Sequence, residues 1–141
     1  MVNTSRFLVL CLVGFLYGCN SGISDKNLTF ITPSESVTLM QDGKSNLLGI
    51  KTVKFVDSRQ VWDFDKSHIK GSTNIPFGWL RLLSGELDDV TTIIVYGETY
   101  NDYVSIAMSK ELISLGFTDV RTLRGGFRGW CDADEPIETP E

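Results

Sequence analysis

A chain of 141 residues with 42% hydrophobic and 22% charged content is long enough for one domain with a single core, and its composition is that of a folded protein. The net charge of −5 leaves no basic stripe to neutralise phosphates, which excludes a nucleic-acid binder. The acid gathers late: after Arg128 come Asp132, Asp134, Glu135, Glu138 and Glu141 without a base, which predicts a solvated, partly frayed tail.

Arg6 supplies a positive start, and residues 7–16 (FLVLCLVGFL) form an apolar run. That run falls short of the roughly 20 residues that span a bilayer as a helix, and it fits the apolar region of a secretory signal peptide. Leu16-Tyr17-Gly18-Cys19 follows at its end. This resembles the lipobox of bacterial lipoproteins, although Tyr17 is bulkier than the pattern favours. The resemblance implies cleavage before Cys19, lipid on its thiol, and a protein held by that anchor on the extracytoplasmic side of a membrane, facing the periplasm. Asn20 in place of an aspartate disfavours retention in the inner membrane without deciding between inner and outer. An ordinary signal peptide with an incidental cysteine is the alternative. The chain is thus expected to divide into a signal peptide (1–18), a lipid-anchored tether (19–30) and a folded domain (31–139). Cys11 would leave with the signal and Cys19 would carry lipid, so Cys131 is the one remaining thiol and no internal disulfide can form. Core packing alone must hold the fold. One histidine and one free thiol also fall short of a metal-ligand set, and no nucleotide-phosphate glycine motif is present; neither metal nor cofactor is expected.

Residues 20–26 (NSGISDK) are small and polar, as a tether would be. Thr32-Pro33-Ser34-Glu35 reads as a capping box with proline at the first helical position. Val37, Leu39 and Met40 give that helix an apolar face, and Asp42-Gly43 is its expected end. Residues 52–56 (TVKFV) predict a β-branched strand closed by Asp57-Ser58-Arg59, with a short helical segment at Val61, Trp62 and Phe64. Residues 72–75 (STNI) predict a second strand stopped by Pro76, then a helix through Trp79, Leu80, Leu82 and Leu83. Residues 91–96 (TTIIVY) form a continuous apolar run suited to a strand buried on both faces. Val104, Ala107, Met108, Leu112 and Leu115 then recur at helical spacing, ended by Gly116. Residues 120–123 predict a further strand, and Gly125-Gly126 leads into a short segment with Phe127 and Trp130. Strands alternating with helices imply an α/β fold: a single domain with a mostly parallel central sheet and helices on both faces.

Four pieces in order resemble the rhodanese family and span about residues 31–139. They are Asp57-Ser58-Arg59; the run from His68 to Pro76 (HIKGSTNIP); the strand with Ile93, Val95 and Tyr96; and the closing Leu115-Gly116-Phe117, Val120, Leu123-Arg124-Gly125-Gly126-Phe127 and Trp130. The resemblance implies the rhodanese-like fold, and it implies a nucleophilic cysteine immediately after the central strand. In such members the loop's backbone N–H groups cradle an anionic persulfide at a helix N-terminus. Here that position is Gly97, and the loop Gly97, Glu98, Thr99, Tyr100, Asn101, Asp102 and Tyr103 holds no cysteine and no cation. Relatives of the fold that act as phosphatases use a Cys-x5-Arg loop, and this chain has neither end of it. Glu98 and Asp102 would weaken thiosulfate or phosphate binding even if a backbone cradle persists. Two carboxylates could serve as an acid/base pair; the plainer reading has Asn101 or Asp102 capping the next helix and Glu98 solvated. Asp57, Arg59 and His68 are read as structural supports. Tyr100 and Tyr103 could meet a partner. Cys131, beside Asp132 and Asp134, should resist ionisation. The reading is therefore a rhodanese-like lipoprotein, inactive as a sulfurtransferase, that binds or scaffolds an unidentified protein partner. The alternative is a sulfur-transfer or thiol-handling enzyme using Cys131 or a partner's thiol.

Overall fold

A computed structural model describes residues 22–45 and 51–139. The signal segment, Cys19 and the start of the tether lie outside the described residues. In chain order the elements are β1 (Thr29–Ile31), α1 (Pro33–Ser45), β2 (Val53–Asp57), α2 (Val61–Lys66), β3 (His68–Ile69), β4 (Thr73–Asn74), α3 (Leu80–Leu83), β5 (Thr92–Tyr96), α4 (Tyr103–Ser114), β6 (Val120–Leu123), α5 (Gly126–Asp132) and β7 (Ile137–Glu138). Tight single turns at Phe77–Trp79 and Ser84–Leu87 bracket α3.

Five strands form a wholly parallel sheet in the order β1-β6-β5-β2-β4. The apolar run of β5 lies inside it, and all its residues are buried. Alternation along this strand divides the core. Ile93 and Val95 pack with Leu80, Met108 and Leu112 from α3 and α4. Ile94 and Tyr96 turn the other way and pack with Phe55, Phe127 and Trp130, backed by Val37 and Met40 of α1. Each fully buried side chain of this kind contributes about 1.5–3 kcal/mol, and the one cysteine among the described residues, Cys131, is free. No helix among the described residues is long and apolar enough to cross a membrane.

Several elements depart from the sequence expectation. Helix α1 starts as predicted, with the Thr32 amide donating to Glu35 Oε2 (2.8 Å). It runs through Asp42-Gly43 to Ser45, so the glycine does not stop it. Three residues, Thr29–Ile31, pair in parallel with β6, which carries the domain slightly past the boundary at 31. On α4 the buried face is Ser105, Met108, Ser109 and Leu112. Val104 and Leu115, the ends of the apolar stripe, are exposed. Both buried serines are satisfied: Ser105 Oγ donates to the Asp102 carbonyl (3.0 Å) and Ser109 Oγ lies 2.8 Å from Thr122 Oγ1. The acidic tail is also more ordered than expected. Ile137–Glu138 pairs antiparallel with His68–Ile69, and the Trp130 indole donates to the Pro136 carbonyl (3.0 Å).

The sheet order places the site. The chain leaves β2 toward β4 at one edge and leaves β5 toward β6 on the other side. Where neighbouring strands send their connections in opposite directions, a crevice opens at their C-terminal ends. The two loops at that crevice are those after Asp57 and after Tyr96.

Candidate functional site

The loop after β2 is built on a buried ion pair. Asp57 is wholly buried and receives the Arg59 guanidinium on both oxygens, Nε at 3.1 Å from each and Nη2 at 2.8 Å from Oδ2. The Arg59 amide also donates to Asp57 Oδ1 (2.8 Å). Arg59 further donates to the Ser67 carbonyl (2.7 Å) and lies over the Phe127 ring, 4.2 Å from its centroid. Burial works against its charge, but the hydrogen bonds and charge of Asp57, then Glu98, outweigh burial and hold the guanidinium protonated. Beside it the Tyr96 hydroxyl accepts from the Ile69 amide (3.2 Å) and lies 2.9 Å from Ser72 Oγ. Burial, then the negative charge of Asp57, keeps that hydroxyl neutral far above the usual tyrosine range.

The loop after β5 is built on main-chain groups. Gly97 is buried at its start. Asp102 caps α4 with Oδ1, which accepts from the amides of Val104 (2.8 Å) and Ser105 (3.1 Å). Its Oδ2 reaches back across the loop to accept from the Glu98 amide (2.7 Å). The carboxyl group therefore lies directly against Gly97. A Cβ built on Gly97 would overlap it, with the farther oxygen, Oδ1, only 2.8 Å away. Gly97 does not have a positive φ, so only space opposes a side chain there.

A third segment clamps the loop from outside. Gly125 and Gly126 have φ of 81° and 58°, a region that side chains disfavour. A Cβ on Gly126 would fall 2.6 Å from the Gly97 carbonyl oxygen. This close approach lets the Phe127 amide donate to the Gly97 carbonyl (2.8 Å) and the Arg128 amide to the Glu98 carbonyl (3.1 Å).

Sequence spacing leaves the acids of the loop uncompensated; in the structure Glu98 stays partly exposed but is paired. Glu98 Oε2 accepts from Arg59 Nη1 (3.0 Å) and Oε1 from Arg128 Nε (3.1 Å). The cations thus come from outside the loop, 39 and 30 residues away in the chain. The oxygens of Glu98 bond to arginines and those of Asp102 to backbone amides. Between the loops and α2 lies an open cleft of about 530 Å³, lined in part by Arg59, Gln60, Asp63, Lys66, Glu98 and Phe127. Gln60, Lys66, Phe127 and Arg128 were not legible as site residues, because no local motif marks contacts made across the fold.

The remaining candidates lie elsewhere. His68 stacks on Phe64 (centroids 3.8 Å apart), with Nδ1 2.9 Å from the Phe64 carbonyl and Nε2 3.2 Å from Glu138. Thr99, Tyr100 and Asn101 face a separate hollow of about 310 Å³ with Phe30 and Arg124. Tyr103 is 83% exposed. Cys131 is half-buried on α5. Burial raises its thiol pKa first, and the charges of Asp132 and Glu98 add to this, with Arg59 opposing.

Comparison with known proteins agrees with this architecture. The model of the rhodanese-like domain family matches residues 40–133. The thiosulfate sulfurtransferase GlpE of Haemophilus influenzae (strain PittEE) is 33% identical over 112 residues, covering 77% of this chain and 93% of the relative. A solved protein from Lactobacillus plantarum superposes with a TM-score of 0.65 at 26% identity, over 77% of this chain and 87% of that one. A protein of unknown function from Rhodopseudomonas palustris, described as a possible tyrosine phosphatase, superposes with a TM-score of 0.65 at 23% identity, over 80% and 86%; at that identity it speaks for the fold alone.

Proposed function

The chain belongs to the rhodanese-like domain family, and from that premise we propose that it is a non-catalytic member, a recognition or scaffolding module rather than a sulfurtransferase. One observation carries the proposal. The residue immediately after β5, where the family resemblance implies the nucleophile, is Gly97, buried and without a side chain. The carboxylates of the same loop are engaged in its structure: the oxygens of Glu98 and Asp102 are bonded to arginines and amides. Cys131 is half-buried with its thiolate disfavoured, so sulfur chemistry there lacks the lowered pKa that a reactive thiol needs.

A surface suited to recognition surrounds the same end of the sheet. Trp62 follows β2, Trp79 follows β4, and Tyr100 and Tyr103 follow β5, each more than half exposed. Aromatic side chains of this kind are enriched where proteins meet partners. Taken with the signal-like residues 7–16 and Cys19, the proposal places the module on a lipid anchor at the extracytoplasmic face of a membrane. A Cys19→Ser chain released from the membrane fraction would support the anchor; the same fractionation as wild type would contradict it.

The decisive test is intact mass after incubation with thiosulfate and then cyanide. The expected result is no change. A gain of one sulfur atom that cyanide removes would overturn the proposal, and its loss in Cys131→Ser would assign the chemistry to that thiol.

A further inference from the structure

The Asp102 carboxyl and the bare α-carbon of Gly97 fit one another, and the fit is tight enough to carry a reading of its own. Asp102 uses both oxygens, one on the amides of Val104 and Ser105 and one on the amide of Glu98. Those three N–H groups converge at the N-terminus of α4, a helix of 12 residues, where the backbone favours negative charge. A negative group already lies there. A side chain at 97 would overlap it, and nothing in the backbone at 97 demands glycine. The outer surface of the loop is fixed as well, by the Phe127 and Arg128 amides on its carbonyls.

We infer that Asp102 is a built-in occupant of this amide cradle, an autoinhibitory contact that keeps the loop ordered without any ligand and closes it to small oxyanions such as sulfate and thiosulfate. This rests on the reading of the loop as one without a nucleophile, and it deepens that reading by naming what fills the place instead. An incoming dianion would have to displace a tethered carboxylate or sit beside it as a like charge, and both are costly. The absence of a side chain at 97 and the carboxylate at 102 are thus two halves of one arrangement.

The test follows the backbone amide resonances of the full domain during titration with sulfate and with thiosulfate. In wild type the Glu98, Val104 and Ser105 amides should not respond specifically. In Asp102→Ala they should shift and saturate, with binding tighter than wild type by about tenfold or more, the least that removing a like charge would give. Asp102→Asn keeps the bulk but removes the like charge and one acceptor, so its response should fall between wild type and Asp102→Ala. If Asp102→Ala does not fold, Asp102→Ser keeps a short cap and should open in the same way. Specific saturable shifts in wild type would overturn the inference, as would a folded Asp102→Ala or Asp102→Ser in which these three amides ignore both anions. Sulfur transfer, assayed separately by mass, tests the function proposed above; a sulfur adduct on wild type with no anion response at the three amides would sink that function and leave the occupancy standing.

Discussion

The loop after β2 and the loop after β5 leave adjacent strands at the same end of the sheet, yet they are held in opposite ways. After β2 the fixing groups are side chains: Asp57 is buried and Arg59 is nearly so, at 7% side-chain exposure, and each satisfies the other. After β5 the fixing groups belong to the main chain, with amides inside on Asp102 and carbonyls outside on α5. Apart from Asp102, whose carboxyl gathers those amides, a loop held by its backbone tolerates exchange of its side chains. A loop held by a buried ion pair does not, because removing one partner strands a charge without water or counterion. This difference explains how a rhodanese frame can keep its shape while residue 97 carries no nucleophile.

The contrast can be broken most sharply at Arg59. Arg59→Met leaves Asp57 buried with only a backbone donor and is expected to cost about 3–5 kcal/mol by urea denaturation; a loss near zero would mean the pair does not organise its loop. Gly126→Ala should cost about 2–3 kcal/mol, because it combines a positive φ with overlap on the Gly97 carbonyl. A neutral result in thermal unfolding would remove α5 as the outer clamp. Glu98→Gln should be the mildest, below about 1 kcal/mol, since its side chain is 41% exposed and such pairs are screened. Added salt should shrink even that difference, and a larger loss would show that this side chain, not the backbone, holds the β5 loop.

Much of this frame was readable from sequence, and the reason is local. The strand β5 announces itself as a continuous apolar run and β2 and β6 as short β-branched stretches, and the Thr32–Glu35 cap is complete within four residues. What escaped was non-local. Thr29–Ile31 is too short and too exposed to show periodicity, and β3 and β7 hold two residues each. Gly43 looked like a helix stop, but α1 continues through it, as tertiary context often overrides propensity. The late acids looked frayed because nothing nearby opposes them; Glu138 finds His68, 70 residues away. At the site, the cap at Asp102 was legible. The neutralisation of Glu98 was not, since its arginines arrive from two other elements, and neither was the reach of Asp102 back to the Glu98 amide.

Whether the space beside Gly97 belongs to Asp102 is measured directly by a double-mutant cycle. Gly97→Ala, Asp102→Ala and the double variant would be compared by chemical denaturation. Each single change should lose about 1–2 kcal/mol, the first by expelling the carboxyl from its amides and the second by deleting it. The double variant should lose little more than Asp102→Ala alone, a coupling of about 1 kcal/mol or more. Losses that simply add would contradict the account, because the two positions would then be independent.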